Sequence, residues 1–448
     1  MDNRGQRMDD EERQEDVGGW PGESVPLDRP VDSEPTALEA QGIPLPAPGE
    51  RWLNRNVVGM GVASFLSDAG HEAATAVLPA FLATIGAPPL ALGTIEGVSD
   101  ATASFVKLGS GWVSDKIGHR KSLTVGGYAL TGVAIASFAL ATTWPMVLLG
   151  RLVGWLGRGL RGPLRDAMLA ESIAPADRGK AFGFHRAGDT LGAIVGPLIA
   201  VALLALLQPL GVDPSGAFRT VFLLTLIPGL GAAAAFAVMV TERRRPPQRE
   251  MRFWATVRAL PNSYRRFLIG VGVFGAGDYA HTLLILAATQ LLTPAYGIVQ
   301  AAQIAALLYV AHNIFYAGAS FPIGALSDRI GRRGLLAAGY LLAAAVSAGF
   351  VAAFALPLAN IPYLAVLFAL AGTYIAAEDA LEGALTADFV GQEVRGTAYG
   401  VMGTVNGVGD LVASVVVGFL WTAVSPAAGF AYAAVVMLTG TFLVQRLR

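Results

Sequence analysis

Gly324-Ala-Leu-Ser-Asp-Arg-Ile-Gly-Arg-Arg333 joins two long apolar runs and sets Asp328, Arg329, Arg332 and Arg333 between them. A near copy stands earlier in the chain, Gly111-Trp-Val-Ser-Asp-Lys-Ile-Gly-His-Arg-Lys121. In both, a Gly (Gly111, Gly324) precedes an Asp by four residues (Asp115, Asp328) and a cation follows at once (Lys116, Arg329). A second Gly comes next (Gly118, Gly331), then further cations, among them Arg120 and Arg332. The copies occupy equivalent places in two halves, which predicts a duplicated membrane unit.

Composition supports that class. Of 448 residues, 54% are hydrophobic and 15% charged, against about a quarter charged in a soluble domain. The excess lies in long apolar runs, as in an all-α polytopic membrane protein. A formal charge of −1 gives no case for nucleic acid, and the absence of cysteine excludes disulfides and thiolate chemistry. Residues 1–52 are rich in acids, Gly and Pro and lack the apolar core of a signal peptide, so they read as a disordered cytoplasmic tail. No Gly-rich phosphate loop precedes a lysine, and no hydrolase or kinase pattern is present. An enzyme is not expected, nor any cofactor.

A spanning helix needs roughly 20 apolar residues. Runs at 57–85, 90–112, 123–141, 144–170, 180–207 and 220–240 supply six, and 267–292, 298–322, 335–356, 361–381, 397–424 and 427–444 six more. The expected organisation is a tail 1–52, a six-helix bundle 53–240, a basic linker 241–266 and a second six-helix bundle 267–448. Residues 254–260 are read as part of the linker. Lys and Arg collect in the linker and in one set of loops. The opposite loops have none, except the longer one near 209–219, which has one. Short cytoplasmic loops hold the Lys and Arg, so both termini and the linker are expected in the cytoplasm, with the chain in the inner (plasma) membrane.

The repeat extends beyond the loops. Arg165-Asp-Ala-Met-Leu-Ala-Glu171, followed by Arg178, aligns without a gap on Glu382-Gly-Ala-Leu-Thr-Ala-Asp388, followed by Arg395. The same offset sets Arg161 opposite Glu378 and Arg165 opposite Glu382. Related halves of this kind suit a transporter whose site lies between them near mid-membrane.

These motifs resemble the major facilitator superfamily, whose signature the two loops match between spans 2 and 3 and between spans 8 and 9. Gly183, Gly192, Gly196 and Pro197 in span 5 resemble that family's antiporter motif, although Ala200-Val201 stands where its closing Gly-Gly would be. Ser67-Asp68 with Glu72, Gly97 with Leu108, Arg161–Asp166 and Phe182–Ala187 resemble a bacterial branch that includes nickel-resistance exporters. The resemblance implies two pseudo-symmetric bundles, alternating access and a transported small molecule or metal ion.

Ionisable groups at membrane depth are expensive unless paired or facing a wet cavity. Span 1 carries Asp68, His71 and Glu72, which share a helical face. Span 7 carries Asp278 and His281 at the same i, i+3 spacing, and span 2 adds Glu96 and Asp100. Two readings of Asp68, His71, Glu72, Asp100, Asp278 and His281 stand together. As a relay they bind and release protons, H+ being the driving ion. Alternatively Asp68, His71, Glu72, Asp278 and His281 converge on a divalent cation, the ligand types suiting Zn, Ni, Co, Fe or Mn. Span 4 places Arg151, Arg158, Arg161 and Arg165 on one stripe. Arg161 and Arg165 are expected to close the cytoplasmic mouth against Glu378 and Glu382. Arg151 and Arg158 are expected to neutralise Asp68, Asp100 or Asp189. The function expected is proton-coupled efflux of a small solute or divalent metal by a monomer in the bilayer. Its rivals are an organic-solute carrier without metal specificity and a transport-inactive sensor of the same fold.

Overall fold

Apolar runs this long must satisfy their backbone within themselves, and the helix is how an open segment does so in lipid. A computed structural model of the chain describes residues 51–117, 120–174, 177–242, 257, 260–356, 358, 360–390 and 395–446. The tail, most of the basic linker and Gly118 lie outside the described residues, as do the side chains of Asp115, Lys116 and Asp328. Among the described residues there is no strand.

The first bundle holds spans 1 to 6: Arg55–Thr84, Pro89–Ile117, Arg120–Ala136, Trp144–Glu171, Arg178–Leu207, and Pro214–Leu224 with Leu226–Met239. In the second, span 7 starts as Asn262–Gly275, and the helix Thr282–Ile330 contains its remainder and all of span 8. Arg332–Ala355, Ile361–Phe389, Arg395–Ala423 and Pro426–Gln445 are spans 9 to 12. Local chemistry marks the ends. The side chains of Asn54, Asp213, Asn360 and Ser425 accept backbone N–H bonds at helix starts. Gly297, at φ 73°, turns span 7 into span 8.

Two spans differ from the expected continuous helices. Span 6 divides at Thr225. Span 7 leaves the helix over residues 276–281, where its neighbours take up released backbone groups. Tyr432 donates to the Ala276 carbonyl at 2.9 Å, and Ser414 Oγ accepts the Ala280 N–H at 3.0 Å. Among the described residues, eight helices are long and apolar enough to cross a membrane. Spans 1, 2 and 4 are not among them; these carry Asp68 and Glu72, Glu96 and Asp100, and the four arginines.

Span 5 lies directly on the backbone of span 1. A Cβ on Gly188, Gly192 or Gly196 would stand 2.7, 2.6 and 2.5 Å from the carbonyl oxygens of Gly61, Phe65 and Ala69. This fixes the rotation of span 1 and therefore the direction of its acids. Between bundles, spans 1, 2 and 5 meet spans 7, 8 and 11. Leu90 N donates to Thr422 Oγ1 at 2.9 Å on one seam. Gln303 reaches the Val201 carbonyl at 3.3 Å and Asn313 the Ala193 carbonyl at 2.8 Å on the other. Both seams are closed on the side away from the linker. Nearest the linker, Arg186 meets Tyr316 and Asp379, yet 63% and 54% of the Arg186 and Asp379 side chains stay exposed. The linker side is therefore the more solvent-exposed end of the seam.

Candidate functional site

Span 4 supplies the cations of the first bundle's inner wall. Arg151, only 1% exposed, donates to both oxygens of Glu96 at 2.7 and 2.9 Å. Its guanidinium lies 4.1 Å over the Trp155 ring, and Trp155 donates to Asp100 at 2.7 Å. Arg158 stands 3.6 Å from Asp68. Arg161 reaches the same carboxylate at 4.0 Å, donates to Ser67 at 2.6 Å and covers the Tyr128 ring. Arg165 donates to Asp166 and to Ser64. Ser64 also meets His185, whose other ring nitrogen is 3.5 Å from Asp189. Of the roles expected for the arginines, Arg158 pairs with Asp68 as anticipated. Arg151 instead takes Glu96, because that carboxylate sits at its own depth on span 2.

Glu72 is the exception on this wall. It is buried, and its oxygens meet the Tyr309 hydroxyl at 3.0 Å and His71 Nε2 at 3.9 Å. Tyr309 comes from span 8, so this hydrogen bond crosses between bundles. The Tyr309 ring stacks on His281 with centroids 4.9 Å apart.

The second bundle repeats that pattern without cations. Asp278 accepts from the Tyr374 hydroxyl at 3.1 Å and has the Glu378 carboxyl as its other polar neighbour. Glu382 accepts from the Tyr340 hydroxyl and, at 2.7 Å, from Asn406. Asp379 accepts from Tyr316 at 2.6 Å. From Phe267 to Gln445, Arg occurs only at 329, 332, 333 and 395, and Lys nowhere. No Lys or Arg nitrogen stands within 4.0 Å of Glu72, Asp278 or Glu382 among the described residues.

The sequence places the acids and imidazoles but not their partners. Tyr309, Tyr340, Tyr374, Tyr316 and Trp155 were not anticipated in these roles. The available signal is that each stands inside a span, where a lone hydroxyl or indole N–H needs an acceptor.

Asp68, His71, Glu72, Asp278 and His281 do not form one ligand set here. Among the described residues, no group of three or more His, Asp or Glu side chains is placed to hold a metal ion. The i, i+3 relation of Asp278 and His281 assumed a continuous helix, and the 276–281 break removes it. Nor are Arg161 and Arg165 joined to Glu378 and Glu382; each holds partners in its own bundle. Of the loop motifs, Arg120 pairs with Glu171 and Arg332, which stands one motif position earlier, with Asp388, while Arg329 is exposed. Gly183 has open space at its Cβ position, Gly192 and Gly196 lie against span 1, and Pro197 sits inside span 5.

Comparisons with known proteins fit this architecture. An uncharacterised MFS-type transporter of Methanocaldococcus jannaschii is 30% identical over 397 residues, 88% of this chain and 95% of that protein. A probable 4-methylmuconolactone transporter of Cupriavidus pinatubonensis is 31% identical over 156 residues, covering 34% of this chain and 35% of its own. Among solved structures, a bacterial homologue of the lysosomal transporter Spinster, inward-facing and unoccupied, superposes with a TM-score of 0.67. It covers 89% of this chain and 95% of its own at 14% identity, a likeness of fold alone. The Major Facilitator Superfamily model matches residues 60–299 and 267–448. With twelve spans in two bundles and a motif loop in each, this chain belongs to the major facilitator superfamily.

Proposed function

We propose that this chain exports a small organic solute from the cytoplasm across the inner membrane in exchange for protons, by alternating access. One observation carries the reading. Buried Glu72 and Asp278 are each met by a tyrosine hydroxyl and by no Lys or Arg within 4.0 Å, whereas buried Asp68 and Glu96 are met by arginines. A buried carboxylate with no Lys or Arg in contact is well suited to take up a proton or a cation. The relative named as a 4-methylmuconolactone transporter supports an organic cargo, and the antiporter-like run Gly183, Gly192, Gly196, Pro197 supports exchange.

The linker side is then the cytoplasmic side, and the more solvent-exposed end of the seam is the one from which cargo enters. Arg161 with Glu378, and Arg165 with Glu382, are the pairs that close this mouth when the outer face opens. Loop residues Asp115, Lys116, Asp328 and Arg329 act at the same gate. Divalent metal is not carried forward as cargo, since the expected ligand set is not assembled.

The test is a reconstituted vesicle carrying an internal pH dye. Wild type is expected to show solute-dependent proton movement, and Glu72→Gln to lower it about tenfold or more, the effect of losing roughly 1.4 kcal/mol or more of a charge-dependent step. Equal proton movement in wild type and Glu72→Gln would sink the proposal.

A further inference from the structure

We propose that the break in span 7 binds a protonated organic amine, which is the cargo class of the exchanger. This assigns the cargo within the proton-exchange reading and rests on it.

The break spans residues 276–281 and contains Asp278 and His281. Nine buried side-chain atoms lack a hydrogen-bond partner among the described residues, and four belong to this neighbourhood: His281 Nε2, Thr282 Oγ1, His312 Nε2 and Glu378 Oε2. Thr282 opens the helix after the break. The His312 ring lies 6.4 Å from that of His281, and Glu378 neighbours Asp278. Thr282 is 0% and His312 5% exposed, so bulk solvent does not satisfy them. Buried polar atoms in native proteins are almost always satisfied, by protein, water or ligand. Four orphans around one interruption of a membrane helix mark a ligand position.

Hydrogen-bond polarity identifies the ligand. Asn313 Nδ2 donates to the Ala193 carbonyl, so its Oδ1 is the atom that faces His312 Nδ1 at 3.2 Å. An amide oxygen only accepts; His312 Nδ1 therefore carries the hydrogen, and Nε2 of the neutral ring is a bare acceptor. Asp278 and Glu378 hydrogen-bond to each other, so the pair holds one proton and one negative charge, and its remaining oxygens are acceptors. The site thus offers acceptors and one negative charge, and the arginines of the second bundle lie only at the linker-side ends of its helices. A primary ammonium brings one positive charge and three N–H donors.

A divalent metal fits less well, since no three acid or imidazole ligands stand close enough to share an ion. Ammonium hydrogen bonds tolerate a looser ring of acceptors. The rings of Tyr309, stacked on His281, and Tyr374, bonded to Asp278, are aromatic surfaces for the organic remainder. Ammonium and proton neutralise the same carboxylates, so binding of one displaces the other, which is what exchange requires.

The experiment measures binding to the purified full chain by calorimetry, with 2-phenylethylamine as probe and 2-phenylethanol and phenylacetate as neutral and anionic matches. The amine is expected to bind saturably and at least tenfold more tightly than either match. Asp278→Asn and Glu378→Gln should each weaken it about tenfold or more. Thr282→Val, nearly the same shape, should weaken it about threefold to tenfold. Asp177→Asn, at the start of span 5 and paired with Lys180, should leave it unchanged. Gel filtration identifies the variants that remain folded, and Thr282→Val serves where a carboxylate variant does not.

Amine binding no tighter than that of the alcohol overturns the proposal, as does full affinity in folded Asp278→Asn and Glu378→Gln. Saturable Zn2+ or Ni2+ binding lost in Asp278→Asn, without amine binding, overturns it in favour of a metal. In vesicles, proton movement driven by the alcohol or the acid but not the amine removes the amine and leaves exchange standing. Amine binding with no proton movement for any solute removes exchange and leaves the site.

Discussion

The two inner walls of this molecule descend from one repeated unit yet handle buried acids in different ways. On the first wall, span 4 brings arginines to Glu96 and Asp68. On the second, span 10 carries Glu378, Asp379 and Glu382 where span 4 has its cations, and tyrosines from spans 8, 9 and 10 supply the hydrogen bonds. An arginine keeps its own positive charge at every physiological pH and favours the ionised form of its partner. A tyrosine hydroxyl donates to a carboxylate and accepts from a carboxylic acid, so it tolerates either state. The two walls thus differ in kind, one setting arginines against its acids and the other tyrosines. Glu72 is the first wall's acid that behaves like the second, because its partner Tyr309 comes from the other bundle.

Breaking the Arg151–Glu96 pair tests that contrast most severely. Glu96→Gln leaves a buried guanidinium without its counter-ion and is expected to lower stability by about 3–5 kcal/mol. Glu72→Gln, which strands no arginine, should change stability by only about 1 kcal/mol. Thermal unfolding of the purified variants compares them. A double Glu96→Gln/Arg151→Met variant should recover most of the loss, and failure to recover would mean that the pair holds more than its own charge.

Tyr309→Phe sharpens the comparison at an intermediate size. It deletes the cross-bundle hydrogen bond to Glu72 while keeping the ring against His281, and should remove about 1–2 kcal/mol. The expected readout is roughly tenfold slower proton exchange with little change in unfolding temperature. A Tyr309→Phe variant as fast as wild type would reduce this tyrosine to packing.

Arg332→Gln sets the lower limit. Its Asp388 pair is 31% and 51% exposed on the two side chains, and exposed pairs contribute about 0–1 kcal/mol. The unfolding midpoint should scarcely move. A large drop would place this loop arginine among structural rather than gating groups.

The division into about twelve spans and two bundles was legible because hydropathy is written locally. The span 7 break was not. No proline interrupts 267–292, so the apolar run reads straight through. Gly275 and Gly277, just ahead of Asp278, were the sole local hint, and the hydrogen bonds that compensate the break come from Ser414 and Tyr432, far along the chain. The acid–tyrosine pairs were hidden for the same reason, Glu72 and Tyr309 being 237 positions apart. Internal symmetry misled in one respect. It aligns Arg161 with Glu378 and Arg165 with Glu382 as equivalents on opposite walls, and equivalence does not entail contact in the conformation observed.

The seam between spans 2 and 11 has a consequence for reversibility. A Cβ on Gly97 would lie 2.9 Å from the Leu411 Cα, and one on Gly418 3.0 Å from the Pro89 carbonyl oxygen. Helix backbone therefore lies against helix backbone, with few side chains between. Separating such surfaces wets peptide groups already hydrogen-bonded within their own helices and uncovers little hydrocarbon, so the hydration penalty of parting is small. A leucine-lined seam would adhere as a core does and make each opening slow. Glycine gives this seam close fit without strong adhesion, a joint that water could part and let re-form at little cost.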